Sequence, residues 1–281
     1  MPSFPHDGHR LAYSEFGPAD SARTTILLHG LLLSQKMHVP LARTLAERGN
    51  RVITLDLLGH GESDRPVDMT RYSMTLWGEQ VIGLMDHLGI DQAVVAGTSL
   101  GANVALEAAW LAPERIRGMV VEMPVLDNAL LACLIVFAPV MIATTYGVSV
   151  TRPVAKALAG LPRFGLGHWA NVGLDWISQE PAPSGAVLRG LTFGRVAPHR
   201  SQRRRMETPA LVIGHHRDPV HAFSDAGTLA EEMPNARLLE ATSIVELRIA
   251  PARLTGEIGR FIDECWRPRT ASDAQRPAVS G

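Results

Sequence analysis

Short apolar runs alternate with longer stretches in which apolar residues recur at helical spacing. Thr25 to Leu28, Arg51 to Leu55, Ala93 to Ala96, Gly118 to Val121 and Ala210 to Ile213 are each four or five residues long and rich in Val, Ile and Leu. Such runs are predicted to be strands buried on both faces. Leu76, Val81, Leu84, Met85 and Leu88 keep a helical period, as do Val104, Leu106, Ala109, Trp110 and Leu111. Leu254, Ile258, Phe261, Ile262 and Cys265 mark one face of a last helix opened by Pro251. The alternation predicts an α/β fold, a mostly parallel sheet with helices on both faces.

Between Asp127 and about Pro209 the alternation stops and helical apolar segments dominate. The expected organisation is a core made of residues 1–127 and 209–266, a mainly helical cap inserted at 128–208, and a disordered tail at 267–281 rich in Arg, Ala, Ser and Pro. From Asn128 to Thr151 there are 24 residues without a charged side chain. That length reaches the roughly 20 residues of a membrane span. Pro139, Gly147, Thr144 and Thr145 lie within it, so the segment is read instead as a cap over an apolar pocket. Peripheral membrane contact through the cap remains open. Arg200, Arg203, Arg204 and Arg205 are read as a solvated face.

Of the 281 residues, 46% are hydrophobic and 20% charged, with a formal net charge of −1. This balance argues against a nucleic-acid partner, whose phosphates call for a basic surface. Cys133 and Cys265 lie far apart and lack metal-ligand spacing, so a reducing compartment is the simpler expectation. The first residues, with His6, Asp7, His9 and Arg10, have no continuous apolar stretch of the signal-peptide kind, and a cytoplasmic location is expected.

The most informative segment is Ala93 to Leu111, an apolar strand, then Gly97-Thr98-Ser99-Leu100-Gly101, then a helix. A sharp strand-to-helix turn needs small residues two before and two after the serine, because the backbone folds back on itself. Ser99 then projects a nucleophilic hydroxyl, and the Leu100 N–H at the helix start favours developing negative charge.

In these residues the sequence resembles the α/β-hydrolase superfamily, over nearly the whole chain apart from the cap. Leu27-Leu28-His29-Gly30 is similar to the family's His-Gly oxyanion loop, which implies the N–H of Leu31 as a second donor beside that of Leu100. Asp56-Leu57-Leu58-Gly59-His60-Gly61-Glu62-Ser63 resembles the family's D-x-x-G-H-G-x-S segment, in which the histidine is structural. Leu211 to Gly214 followed by Asp218 resembles the strand and loop that deliver the triad acid. Glu122, at the end of another strand, occupies the place where haloalkane dehalogenases carry an acidic partner, or else braces the cap. Those relatives and epoxide hydrolases use an aspartate nucleophile, whereas Ser99 points to acyl chemistry.

The base departs from the family pattern. Aligned on Pro251 and the final helix, the position of the catalytic histidine is taken by Ile244, and no histidine follows His221. Three readings stay open. His215, His216 or His221, near the carboxyl edge of the sheet, supplies the base; or the fold is an inactive ligand-binding descendant; or the pocket serves a lyase or cofactor-independent oxygenase step that uses only the oxyanion hole. The leading expectation is a hydrolase of a small apolar ester, lactone or related acyl compound, needing no metal or organic cofactor.

Overall fold

The computed structural model describes residues 1–267, and its chain order begins with a hairpin of β1 (Ser3–His6) and β2 (His9–Phe16). There follow β3 (Thr24–Leu28), α1 (Val39–Glu47), β4 (Arg51–Leu55), α2 (Met74–His87), β5 (Ala93–Thr98), α3 (Leu100–Leu111) and β6 (Ile116–Glu122). Five helices come next, α4 (Leu130–Tyr146), α5 (Val148–Ala159), α6 (His168–Ile177), α7 (Pro181–Thr192) and α8 (Arg200–Arg203). The chain closes through β7 (Ala210–Gly214), α9 (Phe223–Glu232), β8 (Ala236–Glu240), α10 (Glu246–Ile249) and α11 (Ala252–Cys265). Except for Arg267, the expected tail lies outside the described residues.

The eight strands form one sheet in the order β1-β2-β4-β3-β5-β6-β7-β8. β1 with β2 and β2 with β4 are antiparallel, and every later pair is parallel. The five runs anticipated from sequence are β3 to β7, with β5, β6 and β7 extending further than their apolar residues alone. Three strands were not anticipated, β1, β2 and β8. The β1–β2 hairpin carries His6, His9, Arg10 and Glu15, and β8 is an edge strand whose residues stay largely solvated.

Side chains alternate across the sheet, and each face is filled by a different set of helices. Ile26, Ile53, Val95, Met119 and Val212 pack with Val81 and Leu84 of α2, Leu106 of α3 and Leu229 of α9. Leu27, Val52, Val94, Val120 and Leu211 pack on the other face with Leu41 and Leu45 of α1 and Ile258 and Ile262 of α11. Each fully buried aliphatic side chain contributes about 1.5–3 kcal/mol. This core holds the carboxyl ends of β5, β6 and β7 rigidly beside one another.

Candidate active site

At the carboxyl end of β5 the chain reverses into α3 through Ser99, whose φ of 53° and ψ of −112° are strained for a residue with a side chain. The flanking glycines are forced by contact. A Cβ on Gly97 would lie 2.1 Å from the carbonyl carbon of Gly101, and one on Gly101 would lie 2.2 Å from the oxygen of Leu28. The turn is pinned by the Ser99 N–H donating to the Glu122 carbonyl at 2.8 Å and the Asn103 N–H donating to the Ser99 carbonyl at 3.1 Å. The strain is thus held by the surrounding sheet, and Ser99 is left partly exposed.

The loop between β7 and α9 brings two sequence candidates to that hydroxyl. Oδ1 of Asp218 accepts the backbone N–H groups of Val220 at 2.8 Å and His221 at 2.9 Å, closing a tight turn around the carboxylate. Oδ2 lies 2.9 Å from Nδ1 of His221, whose Nε2 lies 2.8 Å from Oγ of Ser99. With the carboxylate accepting from Nδ1–H, Nε2 carries no proton and can accept a hydrogen bond from the Ser99 hydroxyl. Burial would raise the Asp218 pKa, but the hydrogen bonds and charge of His221 outweigh it and hold the carboxyl below its usual range.

The other two histidines of the loop are engaged elsewhere. Nε2 of His215 donates to the Thr242 carbonyl at 3.1 Å while its Nδ1 accepts the Arg217 N–H at 3.1 Å. His216 is exposed, its ring 3.7 Å from that of Phe223 and its Nε2 3.4 Å from Glu240. Ile244 lies in the turn after β8, partly open to solvent.

Glu122 is buried at the end of β6 and is bound by Arg248 of α10 and the hydroxyl of Thr98. Burial alone would raise its pKa, and the Arg248 guanidinium with the hydrogen bonds of Arg248 and Thr98 turns the shift downward. The Glu122 side chain is therefore an ion-paired brace beneath the elbow, its carboxylate hydrogen-bonded to neither Ser99 nor His221. No motif marks Arg248 in the sequence.

His29 is fully buried, with Nδ1 donating to the Gly30 carbonyl at 2.9 Å and Nε2 accepting the Leu57 N–H at 3.1 Å. Burial pushes its pKa down, so it is a neutral brace for the loop that carries Leu31. Leu32, one residue on, has a φ of 57°. His60 is likewise buried, Nδ1 donating to the Leu58 carbonyl at 3.1 Å, and has no contact with Ser99. Asp56 binds the Gln35 amide and the Glu62 N–H, and a Cβ on Gly61 would lie 2.1 Å from its carboxylate, which explains the glycine.

Ser99, Leu31 and Leu100 line a cavity of about 750 Å³ whose other walls come from α4, α7 and the loop before α8. Phe137, Met141, Leu188 and Leu191 make its surface chiefly apolar, and Asn103, Asp127 and Arg195 add polar groups. The root of α4 is fastened by Asp225 of α9, whose buried carboxylate accepts the N–H groups of Leu126, Asn128 and Ala129 and the Asn128 side-chain amide. Neither Asp225 nor Arg248 had been singled out from sequence. Arg203, expected on a solvated face, is buried against Glu232, which Arg200 also pairs. Among the described residues no three His, Cys, Asp or Glu side chains are grouped to hold a metal ion.

A family model described as the alpha/beta hydrolase fold matches residues 25–138, a stretch that holds the Ser99 elbow but neither Asp218 nor His221. The enol-lactonase from Burkholderia xenovorans LB400 superposes with a TM-score of 0.74 at 22% identity, over 93% of this chain and all of that one. This is an α/β-hydrolase-fold protein. A meta-cleavage product hydrolase from Pseudomonas fluorescens IP01 is similar to this chain at a TM-score of 0.70 and 21% identity, over 94% of this chain and 98% of that one. Both likenesses concern the fold. In sequence, a 2-hydroxymuconate semialdehyde hydrolase of Pseudomonas putida is 47% identical over 70 residues, 25% of each chain. The matched segments span at most about two fifths of the length of such curated relatives.

Proposed function

We propose that the protein is a serine hydrolase of small, largely apolar esters, lactones or related acyl compounds. The observation that carries this reading is the unbroken hydrogen-bond chain from Asp218 through His221 to Ser99. Ser99 is the nucleophile, His221 the base and Asp218 the acid that fixes the imidazole tautomer and stabilises its protonated form.

In the first half-reaction Oγ attacks the substrate carbonyl carbon as its proton passes to Nε2 of His221. The resulting oxyanion is held by the N–H groups of Leu31 and Leu100, each such donor being worth about 3–4 kcal/mol. Collapse breaks the bond to the leaving alcohol, which takes the proton from His221 and leaves an acyl-Ser99 ester. Water then attacks that ester with His221 again accepting a proton, and the carboxylic acid departs with Ser99 restored. No cofactor enters these steps.

The helical insertion, residues 128–208, acts as a cap that excludes water from the cavity, and the apolar lining favours hydrocarbon-rich acyl groups. Enol-lactonase and semialdehyde hydrolase activities among the similar proteins support a small-molecule substrate. The ligand-binding alternative rests on Ile244, and the hydrogen bond between His221 and Ser99 favours the catalytic reading over it.

Labelling with a fluorophosphonate tests the proposal. Covalent modification at Ser99, hydrolysis of a panel of activated esters and loss of both in Ser99→Ala are expected. Unmodified Ser99 together with unchanged turnover in Ser99→Ala would overturn it.

A further inference from the structure

The helix α4 is apolar on every side, a pattern that fits a helix buried all round. Only one side is covered. Phe137, Val140 and Met141 pack toward the core, whereas Leu131 and Ile135 are 68% and 66% exposed. Tyr146, Val150 and Val154 are exposed as well, and Phe164 is 99% exposed. So many large apolar side chains left open over one stretch of chain fit a place where something else docks.

Charge indicates what. From Asn128 to Leu174 there is no acidic side chain, while Arg152, Lys156 and Arg163 are basic. Lys36 joins them through Asp175, which it shares with Arg163, and Arg152 pairs with Glu180. This stretch and its ion-pair partners therefore carry more cationic than anionic groups, although the chain as a whole has a net charge of −1. Apolar side chains with a cationic fringe suit a bilayer with acidic headgroups, where burial and attraction add.

The geometry is that of a surface contact. α5 turns away from α4 by 101°, and among the described residues no single helix is long and apolar enough to cross a membrane. Leu130 and Leu134 both line the cavity and are 41% and 55% exposed, so the cavity reaches the same face.

We propose that the outward face of α4, α5 and the Phe164 loop docks on an anionic lipid surface. If the cavity is the acyl site argued above, docking sets its apolar rim against the bilayer, so that a lipophilic substrate passes in without crossing water.

Co-sedimentation of the full chain with vesicles tests this. At low salt the protein pellets with vesicles of phosphatidylglycerol and phosphatidylcholine and far less with phosphatidylcholine alone. Leu131→Asp with Ile135→Asp lowers partitioning at least tenfold, and Phe164→Asp, at a site with almost no packing to lose, lowers it severalfold. A melting curve and turnover of a short water-soluble ester, both unchanged, show that these variants are folded. No pelleting of the wild type, equal pelleting on neutral vesicles, variants that pellet like the wild type, or a concentration-dependent dimer broken by Leu131→Asp would each overturn the proposal. Binding is read without catalysis, so its failure is distinct from failure of the hydrolase reading.

Discussion

His221 reaches Ser99 from only three residues beyond Asp218, its Nε2 2.8 Å from the hydroxyl oxygen while its Nδ1 faces the carboxylate at 2.9 Å. The proposed acid and base thus share one loop, whereas the family resemblance put the base after the last strand. His221→Ala is expected to lower kcat by about a thousandfold or more, because triad members act as a unit. His215→Ala and His216→Ala, whose rings bind Thr242 and Phe223, should stay within about twofold of wild type by the same reasoning. Steady-state rates on an activated ester decide it, and a larger loss in His215→Ala than in His221→Ala would reverse the assignment.

Ile244→His asks whether the usual position still matters. Ser99 already has an imidazole within hydrogen-bond distance, and residue 244 lies in a partly solvated turn. Activity should therefore be unchanged in the otherwise wild-type chain. Restoration of turnover by Ile244→His in a His221→Ala background would show that the older geometry remains available.

Arg248→Met would leave the buried Glu122 carboxylate without its cation, and removing one member of such a pair costs about 3–5 kcal/mol. Glu122→Gln combined with Arg248→Met should recover part of that loss. Denaturant titration measures both. Equal stability of Arg248→Met and wild type would mean that the ion pair carries no structural role beneath the elbow.

Stability should fall on mild acidification. Burial lowers His38 to about 4, with the nearby Arg248 charge adding to the shift, and burial also lowers His29 and His60. For a histidine depressed in the folded state, the unfolded chain binds the proton first. For His38 the stabilisation is complete above pH 6.5 and drains away as the pH falls toward 4, at roughly 1.4 kcal/mol per pH unit, and His29 and His60 contribute losses of the same sign. Melting temperatures should drop steadily across that window. A flat profile between pH 7 and pH 4.5 would contradict the buried neutral state of these rings.

The buried sheet was legible because β3 to β7 are built almost wholly of apolar residues flanked by helical periods. β8 was not, since an edge strand with solvated Arg237 and Glu240 carries no such pattern. The elbow could be read from Gly97 and Gly101, whose side chains are excluded by backbone contact. His221 could not be separated from His215 and His216 by sequence alone. Its selection depends on the turn closed by the Asp218 carboxylate, which aims one ring of the three at Ser99. Arg248 and Asp225 act through distant partners, and pairings of that range leave no local trace.

Asp225 sits on the third residue of the helix that leaves the His221 loop, and its carboxylate grips the backbone at the root of α4. Tilting the roof over the cavity must therefore either tear several hydrogen bonds or drag that helix along. The footing of α4 and that of the His221 ring are one piece, so a movement of the one is geared to the aim of the other.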